Sequence, residues 1–532
     1  MVKSLCLIVS LNVILGFIGG CKSPEKSAAE ADKEAYQIIE NKWQDDFGQM
    51  VNYTIRDSVA TEEEIEALIP SSRVITLQQA VAIATQFSRE YQSQKESLYL
   101  SALDLTLTRH EYARQWFGTF DGQYLNSNGS ENNTLSSEAG VDQAFITAGG
   151  IIANAGLTID WTRFLSNDPY TTLGSVLTAN VTAPLLGRGG GKSAWENLTQ
   201  AERNVLYRIR TFNRYRQEFV VSIISDYYRV LNQMRDLDVI KASYERQKES
   251  TKQLRMQVEV GQIAPSEVFE AEQRLLSAEN SVVSNQQRYA QTLDNFKIRL
   301  SLPTDANITL DPNELVALGN IGVELPEYTA EDAIEMALER RLDLANTREG
   351  LVDTERKLVL AAEGLGVQLN LIGSANVDST EKTDFTRLRF HEGTYSLGLE
   401  ADLPFDRKAE RNAYREALIS LQQKQRGYDE EIERVKLDVR QAYRDLEETA
   451  ESYRIQKLGV ELAEKRVEEQ KLLLETGRGI IRLLVDSEDA LVQAENELTG
   501  ALVNHIIAKM SFFRDIGILE VRPDGMWEQR TQ

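Results

Sequence analysis

Apolar residues recur along this chain with two different periods, and the changes of period divide it. From residue 77 to about 114, Ala80, Ala84 and Phe87 return at intervals of three and four with no proline between them, which predicts a helix. The interval then falls to two. Trp116, Phe120 and Tyr124 share one parity, and Ile151, Ala153, Ala155, Leu157, Ile159 and Trp161 alternate with a mostly polar face of Ile152, Asn154, Gly156, Thr158, Asp160 and Thr162. Leu173, Leu177, Ala179, Val181 and Ala183 continue on one face of a further strand. Later, Val367, Leu369, Leu371, Ala375 and Val377 share a face, as do Tyr395, Leu397, Leu399, Ala401 and Leu403 opposite Ser396, Gly398, Glu400 and Asp402. The pattern predicts a strand pair over about 116–183 and a second over about 367–403, four strands in all. Each segment of about 10 residues suits a tilted membrane-crossing strand. A soluble sandwich edge is the alternative, but it leaves unexplained why both hairpins interrupt very long helices.

After Pro184 and Pro404 the helical period returns. Thirteen positions from Ile432 to Leu474 follow a 3, 4, 3, 4 spacing, nine of them plainly apolar, which is a coiled-coil seam. Val220, Ile223, Tyr227, Val230, Met234 and Leu237 repeat the rhythm upstream. Residues 194–260 hold no proline, and a helix of that length measures about 100 Å. Gly261, and later Gly477 with Gly479, suit helix C-terminal caps. Pro265-Ser266-Glu267 then suits the start of a return helix, so each glycine marks a helical hairpin tip. The return helices are expected to run to about Leu300 and Phe513.

The two halves are copies. Residues 261–280 and 477–496 share Gly, Glu, Leu and a closing Ala-Glu-Asn without a gap at a shift of 216. Residues 76–84 and 329–337 match at a shift of 253, so the first copy carries 37 more residues between its anchors. Neither copy of a repeat needs to bury its apolar face alone. The boundaries that follow are residues 1–20 as a leader, 21–75 as a polar N-terminal arm, 76–320 and 321–520 as the two repeats, and 521–532 as a tail.

Composition adds two points. The net charge of −23 argues against a nucleic-acid partner; it reads as a self-repelling soluble surface or, more sharply, as an acidic lumen that favours cations. Lys3 precedes an apolar run over residues 5–18, and Ile18-Gly-Gly-Cys21 follows. This resembles a bacterial lipoprotein processing site, with the Cys21 thiol as the lipid acceptor; an ordinary secretory signal is the alternative. With Cys6 removed in the leader, the mature chain keeps one cysteine and no intrachain disulfide. Lys22 after the cysteine fits sorting to an outer membrane. No other segment has the roughly 20 apolar residues of a spanning helix.

Four membrane strands cannot close a barrel, for which about eight is the minimum. Open backbone edges in lipid cost several kcal/mol per unpaired group. Several copies therefore have to share one barrel. The fold class expected is mainly α with a four-strand β contribution: a duplicated long-helix, coiled-coil α-barrel segment, plus strands shared in an oligomeric transmembrane β-barrel.

In this order (helix, strand pair, long helix, glycine tip, return helix, all twice) residues 76–520 resemble the TolC-type outer-membrane efflux protein family. The glycine tips, with Glu272 and Glu488 in runs ending Ala-Glu-Asn, and the openings Thr76-Leu-Gln-Gln-Ala and Thr329-Ala-Glu-Asp-Ala carry the resemblance. It implies a homotrimer with twelve strands in the outer membrane, docking to a periplasmic adaptor protein and an inner-membrane pump. Its cargo would be drugs, small solutes or secreted polypeptides. It also implies a gate of acidic residues at the tips. Of the two acidic positions after the second tip, the later falls on Asp486 and the earlier on Leu483; in the first tip Glu267 takes an acidic position. The positions where relatives place an Arg and a Tyr hold Gly479 and Leu474, so Arg478 or Arg482 is the substitute, paired with Glu267. Placement of Asp486, Glu488 and Asp489 at a helix N-terminus for dipole reasons is the plainer reading.

Catalysis is not expected. Gly187-Arg-Gly-Gly-Gly-Lys192-Ser193 has Leu186 where a phosphate loop needs its first glycine, and it reads as a flexible joint after a strand that ends at Pro184. His110, His391 and His505 have no cysteine or carboxylate at metal spacing, and no nucleophile elbow occurs, so neither cofactor nor metal is predicted. Glu447-Glu448 and Glu468-Glu469 sit among Lys and Arg as coiled-coil flanks. Trp116, Phe120, Tyr124 and Trp161 are an interfacial girdle or core packing. A periplasmic structural coiled-coil lipoprotein is the competing function, and it has no use for paired strands in both repeats.

Overall fold

The computed structural model describes residues 22–522 and 527–529, apart from 49–50, 57–60, 62–63, 66, 127–132, 148–149, 166–170, 187–190, 262–263, 324–327, 381–383, 404–405 and 477. Cys21, expected as the lipid acceptor, Gly477, expected at a tip, and Pro404 lie outside the described residues. The described chain is mainly helical with one large sheet. In order the elements are α1 (Pro24–Phe47), β1 (Val74–Ile75), α2 (Leu77–Phe87), α3 (Arg89–Tyr112), β2 (Gln115–Asn126), β3 (Asn133–Ile146), β4 (Ile152–Phe164), β5 (Thr171–Leu186), α4 (Glu196–Glu259) and α5 (Pro265–Arg299). They continue with β6 (Thr309–Leu310), α6 (Asn313–Ile321), α7 (Ala330–Arg340), α8 (Leu342–Glu363), β7 (Gln368–Thr380), β8 (Asp384–Leu388), β9 (Thr394–Asp402), α9 (Lys408–Glu475), α10 (Ile481–Asp515), β10 (Leu519–Val521) and β11 (Trp527–Gln529). Among the described residues no helix is long and apolar enough to cross a membrane.

Two compact units divide the chain. The first comprises Met1–Gln49, Leu98–Ile209 and Arg348–Tyr428 and holds the large sheet. Its strand order is β2-β3-β4-β5-β7, with β9 along one half of the outer side of β7 and the short β8 beyond it. The expected count of four strands is corrected here. Residues 115–186 fold as two hairpins, so the first repeat supplies four strands where the second supplies β7, β9 and β8. The extra hairpin accounts for most of the 37-residue surplus of the first copy. Pro184 does not end its strand. β5 continues to Leu186, and Pro184 lies at a register shift against Asn370, the kind of place where a residue without an N–H is tolerated.

Residues 24–47, expected as part of a polar arm, form a regular helix in this unit. Ser23 caps it, accepting from Lys26 N–H at 3.4 Å, and Ala35, Ile38, Ile39 and Trp43 are buried along one stripe. The Tyr99 hydroxyl donates to Asp32 at 2.6 Å, and Lys42 pairs with Glu202 at 2.7 Å. Between α4 and α8 a charged cluster repeats the same device: Tyr207 donates to Asp353 at 2.6 Å and Arg356 pairs with Glu196 at 2.7 Å.

The second unit comprises Met50–Ser97, Arg210–Thr347 and Asp429–Gln532. Here the repeat is visible atom by atom. Thr76 and Thr329 are both N-caps in capping boxes: Thr76 accepts from Gln79 N–H at 3.3 Å and donates its own N–H to the Gln79 side chain at 3.0 Å, while Thr329 and Asp332 do the same at 3.2 and 3.1 Å. Each helix so started breaks one residue before the next begins, at Ser88 and at Arg341. At the far end, α5 and α10 both close with a left-handed residue, Ser301 (φ 60°) and Gly517 (φ 76°), 216 positions apart. None of the thirteen seam positions on α9 is exposed, and Val435, Val439, Ala442, Leu446 and Val467 are fully buried. The Tyr227 hydroxyl, buried, donates to the Ile75 carbonyl at 3.0 Å and ties α4 to the parallel pair β1–β6.

Candidate functional site

Two features are the candidates for function: the helical tips of the second unit and the two-faced sheet of the first.

At the first tip α4 ends at Glu259 and Gly261 takes φ +74°, a conformation that only glycine adopts without strain; its N–H donates to the Val258 carbonyl at 2.9 Å. Pro265 starts α5 within the span the sequence predicts. At the second tip the Arg478 N–H closes the end of α9 onto the Leu473 carbonyl at 3.0 Å. Gly479 is needed for close approach: a Cβ there would lie 2.5 Å from the Leu474 backbone nitrogen.

The descending and returning helices enclose a cleft of about 1040 Å³ lined by Thr251, Leu254, Glu267, Arg274, Gly479, Arg482 and Asp489 among others. Its walls are cross-tied by charge. Arg274 donates to Asp486 at 2.8 Å and to Glu270 at 3.0 Å, so one guanidinium joins the two return helices. Arg482 lies 3.8 Å from Glu270. Asp489 accepts from Ser243 at 2.6 Å and from Gln247 at 2.9 Å. Glu272 and Glu488 take equivalent partners one repeat apart, Arg255 at 2.7 Å and Lys471 at 3.8 Å.

The sequence-predicted residues therefore separate. Asp486 and Arg482 join one network, but through Glu270 and Arg274. Arg482 sits against Glu270 in place of the expected Glu267, which makes no ion pair with a described residue and stands in the first turn of α5. Arg478 is exposed and makes no ion pair with a described residue. Sequence reasoning passed over Glu270 and Arg274. The repeat shift itself held the signal for the first, since 270 and 486 are 216 apart.

In the sheet, directly paired residues share a face, and every step is antiparallel. One face carries Trp116, Phe120, Tyr124, Leu135, Val141, Leu157, Ile159, Trp161, Leu173, Leu177, Leu371, Val377, Tyr395, Leu397 and Leu399. Opposite lie Thr119, Asp121, Gln123, Glu138, Asp142, Asn154, Asp160, Asn180, Asn370, Asp378, Glu400 and Asp402. Ser374 and Ser396 link across the polar face at 2.6 Å. The apolar side is open: Trp116 is 68 % exposed, Phe120 65 % and Leu397 79 %. That arrangement, apolar on one face and polar and acidic on the other, is what a strand wall between lipid and water needs. The aromatics Trp116, Phe120, Tyr124 and Trp161 all belong to the apolar face, three of them exposed on the outermost strand β2.

His505 is buried with Nδ1 3.3 Å from the Thr449 hydroxyl, a packing position, and His391 is exposed beside Glu392. Among the described residues no group of three His, Cys, Asp or Glu side chains could hold a metal ion.

With this geometry in hand, the comparisons with known proteins agree on a class. Residues 150–297 match the family model described as outer membrane efflux protein. The fold is that of solved outer-membrane channels. The OprN outer-membrane channel superposes with a TM-score of 0.58 at 14 % identity, covering 88 % of this chain and 98 % of its own. For the CmeC outer membrane channel of Campylobacter jejuni the values are 0.58, 13 %, 87 % and 89 %. For the MtrE outer membrane channel of Neisseria gonorrhoeae in its open state they are 0.59, 13 %, 83 % and 88 %. No curated protein sequence matches the chain. Residues 150–297 are thus similar to the outer membrane efflux protein family, and the fold of the chain is that of solved outer-membrane channels.

Proposed function

We propose that the protein is the outer-membrane channel of a tripartite efflux or type I secretion system, forming a homotrimer that conducts cargo from the periplasm outward. The observation that carries this reading is the sheet: six long antiparallel strands with one apolar and one acidic polar face, unpaired at both outer edges among the described residues. Such a wall is stable in a bilayer only when other copies close it. The relatives in fold are outer-membrane channels, MtrE having been seen in an open state, and a shared fold supports the same use here.

The helices support the same assembly. On α5, Phe269, Leu276 and Val283 are exposed at heptad spacing, and α9 exposes Ile455, Leu458, Leu462 and Leu472. Counted from their own tips these stripes lie at similar depth, so α5 of one copy meets α9 of the next in a coiled-coil seam. A periplasmic adaptor protein and an inner-membrane pump are the partners this class of conduit requires. The anchor is Cys21, lipidated in the outer membrane; it precedes by three residues the helix α1, which packs in the sheet-bearing unit.

Gating is assigned to the tips, with Asp486, Glu267, Arg478 and Arg482 as the residues facing the entrance and the Arg274 bridge as the closure. Purified protein in a planar bilayer should carry steady ionic current. A structural coiled-coil lipoprotein, the competing reading, would carry none, and absence of current from correctly assembled trimer would overturn the channel assignment.

A further inference from the structure

The two outermost strands determine how copies join. Among the described residues β2 pairs only with β3, and β9 only with β7. Six long strands alternate in direction from β2 to β9, so the two outer edges run opposite ways. A second copy's β2 therefore meets β9 in the antiparallel sense, which an odd number of strands would not allow. The faces agree as well: Trp116, Phe120 and Tyr124 at one edge and Tyr395 and Leu397 at the other lie on the same apolar side.

Among the described residues the β2–β3 hairpin is the part of this wall with no counterpart in the second repeat. It is nonetheless a full member of the sheet: its register is continuous from Gln115↔Ala144 to Asn126↔Asn133, and from Thr134↔Phe164 to Ile146↔Ile152 against β4. If the hairpin lay outside the barrel, β4 would have to be the closing edge, yet its backbone edge is already paired with β3 along its length. We infer that β2 of one copy pairs with β9 of the next, so each chain contributes six strands and the trimer closes a barrel of eighteen. This rests on the trimer proposed above. Barrel diameter grows roughly linearly with strand number, and barrels of about 16–18 strands leave an open aqueous channel. The eighteen-strand wall is thus about half as wide again as one built from four strands per chain. Its acidic inner face suits bulky, hydrated and cationic cargo over anionic cargo.

The inference is tested by cysteine pairs on the lumenal face, where substitution does not place a polar group in lipid. Thr119→Cys, Asp121→Cys and Gln123→Cys on β2 are each combined with Ser396→Cys or Gly398→Cys on β9, and oxidised in native outer membranes. The parent chain and each single variant serve as controls for folding and for chance cross-links. We expect at least one β2/β9 combination to yield disulfide-linked species of two and three chains on non-reducing gels. Combinations of Ser396→Cys with Thr158→Cys or Asp160→Cys on β4 should yield none. Cross-links from β4 without any from β2 would overturn the inference and place the extra hairpin outside the barrel. Trimers captured by a lysine-reactive cross-linker, with both disulfide sets silent, would overturn it too. Absence of any trimer by either chemistry would instead sink the trimeric reading on which it rests.

Discussion

Ser301 and Gly517 occupy the same place in the two repeats, and only one of them is glycine. A left-handed backbone costs an L-residue about 1–2 kcal/mol, so Ser301→Gly should stabilise the protein by about 0.5–1 kcal/mol after the added freedom of the unfolded chain is counted. Gly517→Ala should destabilise by about 1–2 kcal/mol, because its Cβ would also lie 3.2 Å from the Cβ of Arg340. Denaturant melts of both variants check the pair. Lys95 offers a second residue-scale test. It is buried, and burial together with Arg56 and Arg216 lowers its pKa from 10.5 to about 8. Below about 8 both folded and unfolded chains hold the proton, and the folded state bears the cost of the buried charge. Between 8 and 10.5 the folded state releases it while the unfolded state keeps it, so this group's contribution improves as pH rises. Lys95→Met should therefore raise the melting temperature at pH 7, and the advantage should shrink by pH 10. Neither position was legible in the sequence. An αL serine carries no compositional mark, and burial of a lysine depends on which helices pack around it.

At the scale of elements, periodicity was legible where an element buries one face. The seam of α9 and the tip at Gly261 were legible because short-range contacts decide them; the capping boxes at Thr76 and Thr329 emerged only in the structure. Strand number did not follow. β3 reads Ser136-Ser137-Glu138-Ala139-Gly140 in its middle, which blurs alternation, and its place is set by partners on both sides. The helix α1 hid its stripe of Ala35, Ile38, Ile39 and Trp43 among charges. In the tips, the repeat shift pointed to Glu270, but Arg274 has no equivalent in the second copy and emerges only when the two return helices stand side by side. The bridge is half exposed, so each ion pair contributes at most about 1 kcal/mol. Asp486→Ala should raise the open population by up to about fivefold, read as increased single-channel conductance or open probability, with Asp486→Asn giving a similar change. Identical traces from wild type and variant would remove Asp486 from the gate.

For the whole molecule, one argument ranks above the rest. Among the described residues the sheet exposes an apolar face and two unpaired edges, and α5 and α9 expose heptad stripes, so a single chain leaves in water what a membrane and further copies would cover. Detergent extraction without those partners should yield no stable monomer. Substitution of Leu276 by Lys should weaken the helical seam between copies and lower the fraction of trimer, with a loss of about 1–3 kcal/mol per seam from removing one buried leucine. The measurement that bears most directly on the account is native mass spectrometry of the protein extracted from outer membranes. The predicted result is a particle of three chains, each of 60.0 kDa less its leader and plus its lipid. A soluble, lipid-independent particle of one chain would contradict it.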